Sequence, residues 1–267
     1  KKITKVNAKD YIKQLLSIEN LSFSLEEITQ KTDNKGTSLK FELIRLIQKK
    51  EIINLRKGFY LIIPPRYSNQ GKIPVQLYIE KLFKHLNKPY YLGVYSAAKF
   101  HGANHQQAQR DYIMTTTPSL SNINKNLIDI RFFTMSNWEN KNIHIKKSDA
   151  GIFKISSPAL TTVDLIHHQT KLGGLNRMLA IIEELAEEIK ETDLIELLTW
   201  YPHKSTLQRL GFILELVEAD EKLIKILSKY LKKNKFYPVL LSPRSKEKPG
   251  AVNNLWKVAI NIKLESD

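Results

Sequence analysis

Between residues 24 and 63, the spacing of apolar residues predicts two helices followed by a β-hairpin. Ser24 and Glu27 have the spacing of a capping box, so we expect a first helix to begin there. A turn at 33–36 ends it, since Asn and Gly tolerate left-handed backbone angles. A second helix, starting at 37 or 38, places apolar residues on one face with i, i+4, i+7 and i+8 spacing: Leu39, Leu43, Leu46 and Ile47.

Two β-rich runs, 52–55 and 59–63, follow the second helix and flank a glycine turn at Arg56-Lys57-Gly58. This order of elements, with a basic hairpin tip, predicts a winged helix-turn-helix. Such a module places its second helix in the DNA major groove and its hairpin against the flanking backbone. The residues expected to contact DNA lie around the second helix and at the hairpin tip: Lys35, Thr37, Ser38, Lys40, Arg45, Arg56 and Lys57. Two alternatives stay open, because these lysines could simply be solvated and winged helices also dock proteins.

A cluster of Pro and Gly among polar residues at 64–75 predicts a linker. We therefore expect a winged helix-turn-helix domain at 1–66, a linker at 67–75 and a larger α+β domain at 76–267. Hydrophobic patterning predicts helices at 10–16, 75–86, 96–101, 159–168, 174–190, 193–201, 204–218 and 219–233. It predicts further strands at 90–92, 111–117, 128–133, 151–156, 236–241 and 255–262. The second domain is thus expected to combine a small mixed or antiparallel sheet with a helical subdomain.

Composition narrows the class of protein. The 42% hydrophobic content is that of a folded globular chain, and no apolar run approaches the roughly 18 residues of a membrane span. The lysine-rich start is not followed by the apolar core of a signal peptide. The absence of cysteine excludes disulfides and thiolate chemistry. We expect a cytoplasmic protein without membrane contact.

The net charge of +15 is concentrated in two blocks. Residues 1–66 contain fourteen Lys and Arg against seven Asp and Glu, and residues 222–257 contain ten against one. The rest of the chain is nearly neutral, whereas a general coding bias towards lysine would spread the excess evenly. Two basic surfaces that attract phosphate are therefore expected.

The second block includes four lysines at i, i+3, i+7 and i+10 spacing, which form one stripe of a predicted helix: Lys222, Lys225, Lys229 and Lys232. A solvated helix face would explain them equally well. Ordinary faces alternate in sign to gain i, i+4 pairs, however, and this stripe carries no interspersed acid. We therefore also consider a second contact surface, either for nucleic acid or for an acidic partner.

No pattern of residues predicts catalysis, a cofactor or a metal. His101 and His105 have zinc-ligand spacing, but Gly102 interrupts the helix and neither cysteine nor acid completes a set. His167 and His168 are adjacent and do not share a helix face. No glycine-rich phosphate loop or nucleophile elbow occurs. The chain is not expected to be an enzyme.

Several short motifs follow one another in order from about residue 24: Arg56-Lys57-Gly58-Phe59-Tyr60, Pro89-Tyr90-Tyr91-Leu92, Ser96-Ala97-Ala98, Ser156-Ser157-Pro158, Asp164-Leu165, Arg209-Leu210-Gly211-Phe212 and Trp256. In their order and spacing, the sequence resembles the AbiEi family. Its members are the antitoxin and autorepressor components of type IV abortive-infection toxin–antitoxin systems.

The resemblance implies an N-terminal winged helix that binds double-stranded DNA at inverted repeats upstream of its own operon. It also implies a C-terminal domain that counteracts a nucleotidyltransferase toxin without a stable toxin complex. We expect such a repressor to be cytoplasmic and associated with the nucleoid. The alternative is a protein-interaction module whose basic C-terminal surface binds an acidic partner or RNA, with DNA binding secondary.

Overall fold

The structure is a computed structural model that describes residues 6–68, 72–103, 110–245 and 254–265, together with positions 247, 249 and 252. Its α-helices are α1 (Ala8–Ser17), α2 (Leu25–Lys31), α3 (Gly36–Gln48), α4 (Pro65–Ser68), α5 (Ile79–Leu86), α6 (Val94–Phe100), α7 (Pro158–His167), α8 (Gln169–Leu172), α9 (Leu179–Glu188), α10 (Glu191–Leu198), α11 (Lys204–Leu216) and α12 (Glu221–Lys232). Its strands are β1 (Ser22–Ser24), β2 (Ile52–Arg56), β3 (Phe59–Ile62), β4 (Tyr90–Leu92), β5 (Asp111–Thr116), β6 (Ile123–Lys125), β7 (Ile128–Met135), β8 (Ile143–Ser148), β9 (Gly151–Ser156), β10 (Val239–Leu240) and β11 (Val258–Ala259). Single 3-10 turns cover Val75–Leu77 and Asn176–Met178. The predicted α+β class is confirmed.

The N-terminal module runs from α1 to β3. Its antiparallel sheet has the strand order β1-β3-β2, and β2 and β3 form the predicted hairpin, while the winged helix-turn-helix class of the module stays a prediction. The capping box at Ser24 makes both of its hydrogen bonds and begins α2. Leu39, Leu43 and Leu46 pack beneath α3 as expected, whereas Ile47 lies 38% exposed at the edge of the buried face. Strand β1 is a new element, since three residues are too short to show an alternation.

The second sheet is mixed, with the strand order β6-β7-β5-β4-β9-β8. Its centre contains two parallel pairs, β5 with β7 and β4 with β9, and the remaining neighbours run antiparallel. The edge strands β6 and β8 are absent from the sequence-based expectation. Both carry polar or exposed residues at most positions, so they lack the apolar signal of the central strands.

Helices α7 to α12 form the predicted helical subdomain. Ser157 caps α7 with Pro158 in its first turn, and nearly all of this helix is buried among its neighbours. The closing strands are much shorter than expected: β10 and β11 pair in parallel over two residues each instead of covering 236–241 and 255–262. Leu255 and Ile260 are exposed, so the apolar residues that suggested a long strand do not all face the core.

The N-terminal module packs against the second sheet. One hydrophobic cluster joins Leu21, Phe59 and Leu61 of the module to Phe83 and Ile113 beyond the predicted linker. The boundaries at 66 and 75 stay a prediction, and positions 69–71 of that linker lie outside the described residues. Across the described ranges, no helix combines the length and apolarity that a membrane crossing demands.

Candidate nucleic-acid interface

The outer face of α3 is a continuous exposed surface. Because Leu39, Leu43 and Leu46 face the core, the opposite side of the helix points to solvent. The exposed side chains of this outer face are Lys35, Thr37, Ser38, Lys40, Phe41, Ile44, Arg45 and Gln48. All five residues predicted at this helix therefore belong to one accessible surface. Ile44 and Gln48 complete it, and neither was predicted.

The turn between α2 and α3 is held by side-chain hydrogen bonds. The Thr32 hydroxyl donates to the carbonyl of Ile28 at 2.7 Å, and the Asn34 amide donates to Glu42 Oε2 at 2.9 Å. The first bond closes the end of α2, and the second ties the turn to the side of α3. Together they fix the angle at which α3 leaves the turn.

The two basic residues of the hairpin tip have different environments. The Arg56 guanidinium donates to the Ser121 hydroxyl at 2.9 Å and to the Ser121 carbonyl, and its carbon lies 5.4 Å from the centre of the Phe132 ring. Burial lowers the pKa of Arg56. Lys57 is exposed, while its carbonyl oxygen accepts a hydrogen bond from His85 Nε2 at 3.0 Å. The predicted pair thus shares one hairpin, but Arg56 is turned towards the second domain and Lys57 towards solvent.

The second domain adds a lysine beside the N-terminal module. Lys125, at the β6–β7 turn, donates to the Asn54 carbonyl at 2.7 Å. A cleft of about 340 Å³ lies between this turn and the end of α3. Its lining combines amide, lysine and isoleucine side chains: Ile47, Lys50, Ile53, Asn54, Lys125 and Asn126. The basic surface around α3 therefore extends onto the second domain, which the local sequence did not indicate.

The lysine stripe of α12 is partly neutralised. Lys222 pairs with Glu191 at 3.2 Å and Lys225 pairs with Glu221 at 2.6 Å, so acids outside the stripe neutralise two of its four lysines. One acid comes from α10 and the other lies a turn away on α12 itself. Lys229 and Lys232 make no ion pair with any described residue. Lys229 and Lys233 border an apolar groove of about 370 Å³ between α10 and α12.

The fold gathers three histidines that the sequence did not connect. The rings of His167 and His203 stack 4.2 Å apart, and His168 lies 4.7 Å from His167. They line a cavity of about 200 Å³ together with Asp164. The Tyr91 hydroxyl donates to Asp164 Oδ2 at 2.9 Å. His203 lies in the loop before α11, far along the chain from His167 and His168. The sequence spacing of the three histidines therefore did not predict that they cluster.

Electrostatics keep this cavity uncharged near neutral pH. Burial lowers the pKa of His167 to about 4 and that of His168 to about 3, with their histidine neighbours acting in the same direction. Burial raises the pKa of Asp164 to about 8, against the lowering effect of the Tyr91 hydrogen bond. No group of three described acids or histidines is arranged to hold a metal ion. The other histidine pair considered as a ligand set includes His105, which lies outside the described residues.

Three comparisons with known proteins bear on this arrangement. The family model of the AbiEi antitoxin C-terminal domain matches residues 91–216. A solved structure, the RV2827C protein from Mycobacterium tuberculosis, is similar with a TM-score of 0.65 and 13% identity, over 94% of this chain and 90% of that one. At that identity the likeness shows a shared fold. No curated protein matches the sequence.

Proposed function

We propose that this chain, whose residues 91–216 match the AbiEi antitoxin C-terminal domain, is a type IV antitoxin that represses its own operon through the N-terminal module. In this proposal, residues 1–66 bind inverted repeats upstream of the operon and residues 76–267 counteract a nucleotidyltransferase toxin without a stable complex. The protein acts in the cytoplasm on nucleoid DNA, without a cofactor. A regulatory role agrees with the family, which is not catalytic.

One observation carries the DNA-binding part of the proposal. The exposed face of α3 displays Lys40 and Arg45 opposite the leucines that bury the helix, with Lys35 at its N-terminal end and Lys57 at the hairpin tip. A recognition helix and a wing need their cations on such accessible surfaces, because phosphates lie on both sides of the major groove. The exposed residues can thus meet a duplex without unfolding any part of the module.

The test is binding of the full chain to its own upstream DNA, beside a scrambled duplex of equal length, over a salt series. We expect a preference of at least about a thousandfold, the lower end for specific readers. If about five phosphates are neutralised per protomer, log affinity falls with log salt with a slope of about −4.5. Equal and steeply salt-dependent binding to both duplexes would overturn the proposal.

A matched pair of variants tests whether DNA binds at the exposed face of α3. Lys40→Ala/Arg45→Ala should weaken binding to the upstream duplex and flatten the salt slope by up to about 1.8, because two phosphate contacts are lost, while Lys229→Ala/Lys232→Ala removes the same charge from α12 and should leave both values unchanged. In cells, the first variant should lose repression and still protect against the toxin, because toxin antagonism is assigned to the second domain. Loss of both activities together would contradict that division.

The groove between α10 and α12 supports a second candidate, an acidic partner bound by the second domain. Ile195, Leu198 and Ile226 supply an apolar floor, and Lys229 and Lys233 supply cations at its edge. A partner helix with apolar and acidic faces would match both features. Co-purification of the neighbouring gene product, lost on Lys229→Glu/Lys233→Glu, would favour this candidate over antagonism without contact.

A further inference from the structure

The centre of the exposed α3 face is apolar. Phe41 is 58% exposed and Ile44 is 38% exposed, although both side chains are large hydrophobes on a helix whose opposite side already fills the core. Together with Thr37 and Gln48 they have i, i+4, i+7 and i+11 spacing, so they form one line along the helix. An apolar line in the middle of a basic surface requires a partner that is apolar at its centre and anionic at its sides.

The positions of the charges identify that partner. Lys40 lies on one side of the apolar line and Arg45 on the other, while Lys35 precedes the first turn. A helix in the major groove, which is about 12 Å wide, has a phosphate backbone on each side and base edges before it. The two flanking cations suit the backbones, and Phe41 and Ile44 then face the base edges. A protein partner would need acidic residues on both sides of an apolar strip. Every DNA duplex already has a phosphate backbone on each side of its major groove.

Among the four natural bases, thymine alone presents an apolar group in the major groove, its C5-methyl. Neither Phe41 nor Ile44 can satisfy the hydrogen-bonding groups that guanine, adenine and cytosine display there, so burying them against those bases is unfavourable. We propose that Phe41 and Ile44 are specificity-determining residues that read thymine methyl groups at the centre of each half-site. This inference rests on the proposed DNA-binding function and adds the class of sequence that is recognised.

The test removes only the C5-methyl group of thymine. Duplexes that bind the full chain are first selected from a random pool, and each thymine of the selected sequence is then replaced by deoxyuridine, which keeps the pairing and the O4 acceptor. We expect the affinity to fall by about fourfold for each contacted thymine that is replaced, which is the effect of losing one buried methyl group. Phe41→Ala should bind the thymine duplex more weakly and lose its sensitivity to deoxyuridine at one position. Ile44→Ala should do the same at a neighbouring position.

The control variant is Ile47→Ala. Ile47 is as exposed as Ile44 but lies off the apolar line, towards the edge of the core, so its variant should keep the full deoxyuridine effect. Retention of the thymine preference by both Phe41→Ala and Ile44→Ala would overturn the residue assignment.

Failure of this inference is distinguishable from failure of the proposed function. If no sequence is enriched from the pool, sequence-specific DNA binding itself fails. If a sequence is enriched but binds equally with uracil in place of thymine, the inference alone fails. If Phe41→Ala changes the sedimentation of the free protein without altering the deoxyuridine effect, a second copy of the chain covers the apolar line and the inference is wrong.

Discussion

The Arg56 guanidinium donates to the Ser121 hydroxyl at 2.9 Å, although 65 residues separate the two in the chain. The contact joins the hairpin tip of the N-terminal module to the loop before β6. The ring of Phe132 lies beneath the same guanidinium, and His85 contacts the carbonyl of Lys57. The position of the wing relative to α3 is therefore set by the second domain as well as by the hairpin itself.

This arrangement separates the roles of the two tip residues. Lys57→Ala should flatten the dependence of log affinity on log salt by about 0.9, because one phosphate contact is lost. Arg56→Ala should lower the affinity and leave the slope nearly unchanged, since the guanidinium donates to Ser121 in the second domain and does not face a phosphate. Fluorescence anisotropy with a labelled upstream duplex over a salt series measures both values. A full unit of flattening in Arg56→Ala would mean that Arg56 leaves Ser121 to bind phosphate.

The capping box at the start of α2 gives a prediction about stability. Ser24 accepts from the Glu27 amide at 3.1 Å, and the Glu27 carboxylate accepts from the Ser24 amide at 2.6 Å. Ser24→Ala should lower the free energy of unfolding by about 1 kcal/mol, because the amide at Glu27 loses its acceptor. Urea denaturation followed by circular dichroism gives this value. Ser38→Ala, on the exposed face of α3, is the matched control, and an equal loss there would argue against the capping contribution.

The N-terminal module was predictable because its signals are local. Ser24 and Glu27 are three residues apart, the leucines of α3 repeat at helical spacing, and Gly58 marks the hairpin turn with a positive φ of 73°. Each signal falls within a few residues of the structure that it specifies. The class of the second domain followed in the same way from its apolar runs.

The features that were missed depend on contacts between distant segments. Ser121 gives no local indication that it receives Arg56, and the stacking of His167 on His203 requires the chain to return after α10. The acid that neutralises Lys222 likewise comes from another helix, at Glu191. The spacing of polar residues indicates which face of a helix is polar, but it does not indicate which residues of other segments lie opposite that face.

Close packing between α11 and the C-terminal segment gives a third prediction. Gly211 lies in the middle of α11 directly against the buried indole of Trp256, and a Cβ added at Gly211 would overlap that ring. Helix propensity alone favours alanine over glycine here by about 1 kcal/mol. We expect the opposite sign: Gly211→Ala should lower the free energy of unfolding by about 1–3 kcal/mol through overpacking.

Compensation at Trp256 tests the cause of that loss. Gly211→Ala/Trp256→Phe removes part of the ring that the new methyl would meet, so the double variant should be more stable than the sum of the two single effects predicts. Chemical denaturation of the four proteins in this cycle supplies the interaction energy. Strict additivity would show that Gly211 is not limited by its contact with Trp256.

The fourth prediction concerns the buried carboxyl of Asp164. Burial raises its pKa to about 8 in the folded protein, whereas the unfolded chain releases the proton near the ordinary pKa of 3.8. Between these pH values the folded state binds the extra proton, so the free energy of unfolding falls as pH rises, by at most about 1.4 kcal/mol per pH unit. Asp164→Asn should remove this dependence while still accepting the Tyr91 hydrogen bond.

The window for the measurement is set by the histidines beside Asp164. The folded-state pKa values of His167 and His168 are lowered to about 4 and about 3, so their contribution to stability is fully present above the unfolded value of 6.5 and is lost as pH falls below it. Urea denaturation of both proteins between pH 6.5 and 8 isolates Asp164, because the histidines are neutral in the folded state there and the residual protonation of the unfolded histidines contributes equally to both proteins. Across that window the wild-type protein should lose stability relative to Asp164→Asn as pH rises. Parallel curves would mean that the Asp164 carboxyl is already ionised in the folded protein at pH 6.5.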